Sequence, residues 1–147
     1  MKKRASDQAG ADARGLILTA ILDAAHTLGA RLEVALGASG LSLAKLGVLR
    51  ALADAPGPLA LSEVAKRVHC VRSNITQLVD RLESDGLVRR VSDPTDRRVR
   101  WATLTPLGKK TCARGMSILV SEDKKLAAAM GRSEASALLR FVGRLME

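Results

Sequence analysis

Tyrosine is absent from this sequence, and tryptophan and phenylalanine occur once each, as Trp101 and Phe141. With aromatics at 1% of residues, a ring-lined pocket is excluded, and so is an RNA-binding surface that stacks bases on aromatic side chains. Cysteine is nearly as scarce. Cys70 and Cys112 are too few and too far apart for a disulfide framework. No apolar run reaches the ~18 residues that a bilayer-spanning helix requires. The basic start Met1-Lys2-Lys3-Arg4 leads into polar residues and lacks the apolar stretch of a signal peptide. A cytoplasmic location with reduced thiols and no membrane association is expected. There is no phosphate-cradling glycine loop, nucleophile elbow or metal-binding histidine pair. His26, His69, Cys70 and Cys112 do not have zinc-ligand spacing. The sequence therefore predicts no catalytic residues, no metal and no cofactor, and a role other than catalysis.

What the sequence does have is aliphatic and basic. Hydrophobic residues make up 47% of the 147, enough for one ordinary domain with a Leu, Val, Ile, Ala and Met core. Lys and Arg number 24 against 15 Asp and Glu, a net charge of +9. An excess of that size is the electrostatic footprint of a polyanionic partner. More than half of it falls in residues 61–110, which hold eleven Lys or Arg and six Asp or Glu.

The apolar periodicity predicts a mostly helical chain with one small β-hairpin. Residues 1–11 are polar and expected to be disordered. A long helix follows over 12–36, and its apolar stripe (Leu16, Ile17, Ile21, Leu22, Leu28, Leu32) is wider than a small lobe can cover. A second helix fits residues 43–54, before Pro56-Gly57-Pro58. Leu61, Val64, Ala65 and Val68 then repeat at i, i+3, i+4, i+7, as do Ile75, Leu78, Val79 and Leu82 in a helix over 72–85 that Gly86 ends. Two short helices joined by His69-Cys70-Val71 make a helix-turn-helix, with His69 suited to a positive φ. Runs at 87–92 and 99–104 read as strands around the charged turn Asp93-Pro94-Thr95-Asp96-Arg97-Arg98. Thr105 and Pro106 open a helix to about Gly131, and Ser133 is expected to cap a last helix to about Met146.

Several of these segments together resemble the MarR family of transcriptional regulators. They are Leu61-Ser62-Glu63-Val64-Ala65, the run from Ser73 to Glu83, Gly86-Leu87-Val88, the 93–98 wing and the exit Leu104-Thr105-Pro106-Leu107-Gly108. The resemblance implies a single domain over 1–147. Its winged helix-turn-helix lobe would occupy 42–104 and its dimerisation helices 12–37 and 105–147. It further implies a homodimer on a pseudo-palindromic double-stranded DNA operator, a repressor released by a small-molecule effector or an oxidant. Ala60 and Val71 depart from the family pattern, standing where a capping Ser or Thr is common.

On the 72–85 helix the wheel sets Ser73, Gln77 and Asp80 opposite the apolar side, flanked by Asn74, Thr76 and Arg81, with Arg72 at the start. Ser73, Asn74, Thr76, Gln77, Arg81 and Arg72 are thus the candidates for contact with base edges and backbone. Arg97 and Arg98 at the wing tip are candidates for the minor groove, and Arg89, Arg90 and Arg100 for phosphates. His26 and Arg50 are the candidate effector ligands. Oxidation of Cys70, in the helix-turn-helix connector, is an alternative mode of control. Winged helices also serve as protein-interaction modules, a use that calls for an apolar recognition face.

Overall fold

The computed structural model describes residues 2–69, 71–92 and 100–146. Helix α1 spans Lys2–Gly37, so helix replaces the expected disorder at the start. The physical reason is propensity: Lys, Arg, Ala and Gln are good helix formers, and no proline interrupts them. Among the described side chains of α1 only Leu36 is buried, while Leu16, Ile17, Leu18, Leu22 and Val34 are exposed.

Helix α2, Leu43–Ala53, starts at Ser42, whose hydroxyl accepts from the Lys45 N–H at 3.2 Å. It supplies Leu46, Val48, Leu49 and Leu52 to the core. Strand β1, Leu59–Ala60, then leads directly into α3, Leu61–Val68. The periodicity gave no sign of β1, because a two-residue strand exists only through its pairing, here Leu59 with Ala102 and Ala60 with Trp101. Helix α4 spans Arg72–Ser84 and packs Ile75, Val79 and Leu82 into the same core. It ends at Gly86, where φ is +70°. The Gly86 N–H donates to the Glu83 carbonyl and the Leu87 N–H to the Leu82 carbonyl, each at 2.9 Å. This left-handed exit turns the chain into β2.

Strands β2, Val88–Ser92, and β3, Arg100–Leu104, pair antiparallel from Val88 with Leu104 to Ser92 with Arg100. The sheet order is β1-β3-β2, so β2 is an edge. Helix α5, Pro106–Ala128, and helix α6, Arg132–Leu145, complete the chain. Gly131, not Ser133, is the N-cap of α6: the Glu134 carboxylate reaches back to accept from the Gly131 N–H at 2.7 Å, which starts the helix before Ser133. No residue of α6 is buried.

Two glycines let α5 sit against the lobe. A Cβ at Gly115 would meet Leu46 Cδ1 at 2.6 Å and Leu41 Cδ1 at 2.9 Å. One at Gly108 would fall 1.9 Å from the Leu87 carbonyl oxygen. Thr105 fastens the same joint. Its hydroxyl accepts from the Gly108 N–H at 2.9 Å and lies 2.7 Å from the Gly86 carbonyl, to which it donates. The first turn of α5 is thereby tied to the turn between α4 and the wing.

Candidate nucleic-acid interface

Helix α3 closes at His69, whose φ of 52° is left-handed. Its N–H donates to the Lys66 carbonyl at 3.2 Å, closing α3. Neither Ala60 nor Val71 makes a side-chain cap, as the sequence suggested. What holds α4 in place is its apolar side. Ile75, Val79 and Leu82 are fully buried, and Leu78 packs beside them. Ser73, Asn74, Thr76, Gln77 and Arg81 all lie exposed on the rest of the helix. The structure therefore gathers five of the candidate DNA-contacting residues on one exposed polar surface. The side chain of Arg72, and Arg97, Arg98 and Cys70, lie outside the described residues.

The wing strands divide their arginines. Arg89 and Arg100 are exposed. Arg90 turns onto α4 instead of outward to phosphate. Its Nη1 lies 2.5 Å from Asp80 Oδ1 and 3.0 Å from Glu83 Oε2, and Nη2 lies 3.5 Å from the Thr76 carbonyl. Glu83 Oε1 also accepts from the Arg90 backbone N–H at 3.0 Å, and so satisfies a donor on the free side of the edge strand. Sequence reasoning did not find this cluster. Its only trace there is a pair of acids three apart on a helix, followed by a strand with two arginines.

Among the described residues, hollows that border the lobe include three of note. A cavity of about 670 Å³ is walled by Leu52 and the 55–57 turn, by Thr103 and Leu104, and by Lys109, Cys112 and Met116. A groove of about 490 Å³ between α2 and α3 carries Arg50, Asp54 and Arg67. A smaller one, about 270 Å³, lies between α1 and α5 around Leu28, Arg31 and Glu122. The two candidate effector residues do not come together. Arg50 is paired with Asp54 at 3.7 Å in the α2–α3 groove. His26 is exposed on α1 and lines none of the three hollows. Burial pushes the Cys112 thiol above its usual range, reinforced by Asp54 and opposed by Arg50. Among the described residues no group of His, Cys, Asp and Glu is arranged to hold a metal ion, and no helix is long and apolar enough to cross a membrane.

Comparison with known proteins agrees with this geometry. A sequence model described as MarR family matches residues 39–99. The chain is 34% identical over 101 residues to the transcriptional regulator HosA of Escherichia coli O111:H-, spanning 67% of this chain and 73% of that protein. It is 36% identical over 84 residues to the transcriptional activatory protein BadR of Rhodopseudomonas palustris, spanning 57% of this chain and 47% of BadR. Among solved structures, the transcriptional repressor CouR bound to a 23-mer DNA duplex superposes with a TM-score of 0.80. The identity there is 26%, over 87% of this chain and 90% of that one.

Proposed function

The chain belongs to the MarR family of DNA-binding transcriptional regulators, and on that premise we propose that it is a cytoplasmic homodimeric repressor released from its operator by a small organic ligand. The observation that carries the DNA contact is the polar exposure of Ser73, Asn74, Thr76, Gln77 and Arg81 opposite the buried Ile75, Val79 and Leu82. Gln and Asn are the side chains that bond adenine bidentately, and Arg the one that so bonds guanine. Arg97 and Arg98, between β2 and β3 in sequence, add charge where a wing meets the minor groove.

Dimerisation is supported by what the single chain leaves uncovered. Leu16, Ile17, Leu18 and Leu22 are 58–71% exposed, and on α6 Leu139 and Leu145 are 73% and 63% exposed. A second copy related by a two-fold axis would cover such surface and set two α4 helices to read half-sites about one helical turn apart. The assignment as repressor rests on CouR, the longer match, over BadR. Release follows from leverage. The 670 Å³ cavity touches α2, β3 and α5 beside the Thr105–Gly86 joint, so a ligand wedged there tilts the lobe relative to the dimer helices and breaks simultaneous docking.

The test is selection of duplexes from a random pool by the purified protein, followed by titration on the best sequence. Gln77→Ala should cost about 1–3 kcal/mol on that sequence and relax discrimination. Arg97→Ala or Arg98→Ala should weaken all sequences and lower the salt slope by about one. Equal weakening of every duplex by Gln77→Ala would remove α4 from the groove.

A further inference from the structure

We propose that Arg90 is a positioning residue that locks the wing to the recognition helix, so that α4 and β2 meet DNA as one rigid reading head.

The geometry is that of a staple along a helix face. Thr76, Asp80 and Glu83 stand at i, i+4 and i+7 of α4, one above the other. Arg90 addresses all three from a single point on β2: Asp80 and Glu83 through Nη1, and the Thr76 carbonyl through Nη2. Glu83 closes the grip from the other side. One of its oxygens takes the Arg90 backbone N–H and the other the guanidinium, both at 3.0 Å. The strand is thus held by main chain and side chain together. A lysine offers one point charge and cannot reproduce this fork. The Arg90 side chain is only 21% exposed, and its buried Nε has no partner among the described residues. The side chain is therefore committed inward at some cost, and both of its terminal nitrogens already have partners on α4.

The charge arrangement gives the staple a second consequence. Asp80 and Glu83 lie on the helix that faces a polyanion, where free carboxylates repel the backbone. Arg90 offsets them locally. The cation that offsets these two acids arrives on the wing. Docking of the wing and docking of the helix are coupled through it.

The inference rests on the reading of α4 as the base-contacting helix. The experiment compares the parent, Arg90→Ala and Glu83→Gln on two duplexes, the best sequence selected from a random pool and its scrambled counterpart, across a range of salt. For Arg90→Ala the affinity ratio between the two duplexes should fall about tenfold, with the salt slope on the scrambled duplex unchanged. Glu83→Gln should lower the ratio as well, while tightening the scrambled duplex, because it removes a negative charge near DNA yet loosens the staple. A variant that is merely less stable has fewer active molecules but the same ratio, so this readout separates positioning from folding. If Arg90→Ala folds too poorly to titrate, Glu83→Gln decides alone. Equal weakening of both duplexes by Arg90→Ala with a slope lowered by about one would make Arg90 a phosphate contact and overturn the proposal. Equal tightening of both by Glu83→Gln would overturn it too. A parent that prefers no sequence overturns the reading of α4 and this inference together. A parent with a preference that neither variant alters overturns this inference alone.

Discussion

Gly108 is the position where one methyl group decides most. Its missing Cβ leaves room for the Leu87 carbonyl, a backbone atom that cannot swing aside. Gly108→Ala is expected to cost about 3 kcal/mol, at the upper end for overpacking, measured by urea unfolding of the purified protein. Gly115→Ala should cost about 1 kcal/mol, since the atoms it meets are leucine tips that can rotate. Similar losses at both sites would mean that the α5 joint has slack. Cys112 poses the opposite question, of chemistry withheld. Burial raises its pKa, so the neutral thiol is the favoured form in the fold. The unfolded chain gives up this proton first, near pH 9, and from there stability should fall as pH rises. At pH 8 the native protein should react with iodoacetamide far more slowly at Cys112 than the urea-unfolded chain does. Equal rates would show a thiol open to the cavity and fit for sensing oxidants.

At the scale of elements, helix ends carry the testable energy. Thr105→Ala removes both the cap of the Gly108 N–H and the bond to the Gly86 carbonyl, and should cost about 1–2 kcal/mol. Val71 caps nothing, and Val71→Ser should stabilise by about 1 kcal/mol, raising the melting temperature by about 3 °C in a calorimetric scan. An unchanged midpoint would mean that the first turn of α4 is already satisfied elsewhere. These ends also mark where the sequence was readable. Helices α2 to α5 and the wing strands follow from local signals: apolar residues three and four apart, the left-handed Gly86, and the Thr-Pro start. The exposed face of α4 was readable for the same reason, because fixing Ile75, Val79 and Leu82 inward fixes Ser73 and Gln77 outward. Strand β1 was not readable, since two residues become a strand only by pairing with β3. The start of α6 was set by a carboxylate reaching back, which favoured Gly131 over the better capping residue Ser133. Arg90 read as a phosphate contact because its charge is visible in sequence, whereas its acidic partners are seven and ten residues away and reach it only through the fold.

For the whole molecule the decisive fact is how little of α1 its own chain covers. The helix has 36 residues and would extend about 54 Å, yet Leu36 is its one buried side chain among those described. Light scattering at micromolar concentration should give a mass near twice 15.6 kDa, and Ile17→Glu should shift it toward the single-chain value. A stable monomer of the parent would leave the apolar stripe without a purpose in assembly. A helix whose apolar side chains find their cover on another molecule obeys mass action. Its melting temperature should climb with each tenfold rise in protein concentration, and the amides of residues 16–28 should exchange with solvent faster on dilution. Assembled as proposed, the chain would sense its own abundance: newly made copies at low number would be less structured along α1 and more open to proteases, and the DNA-competent dimer would accumulate only past a threshold of synthesis.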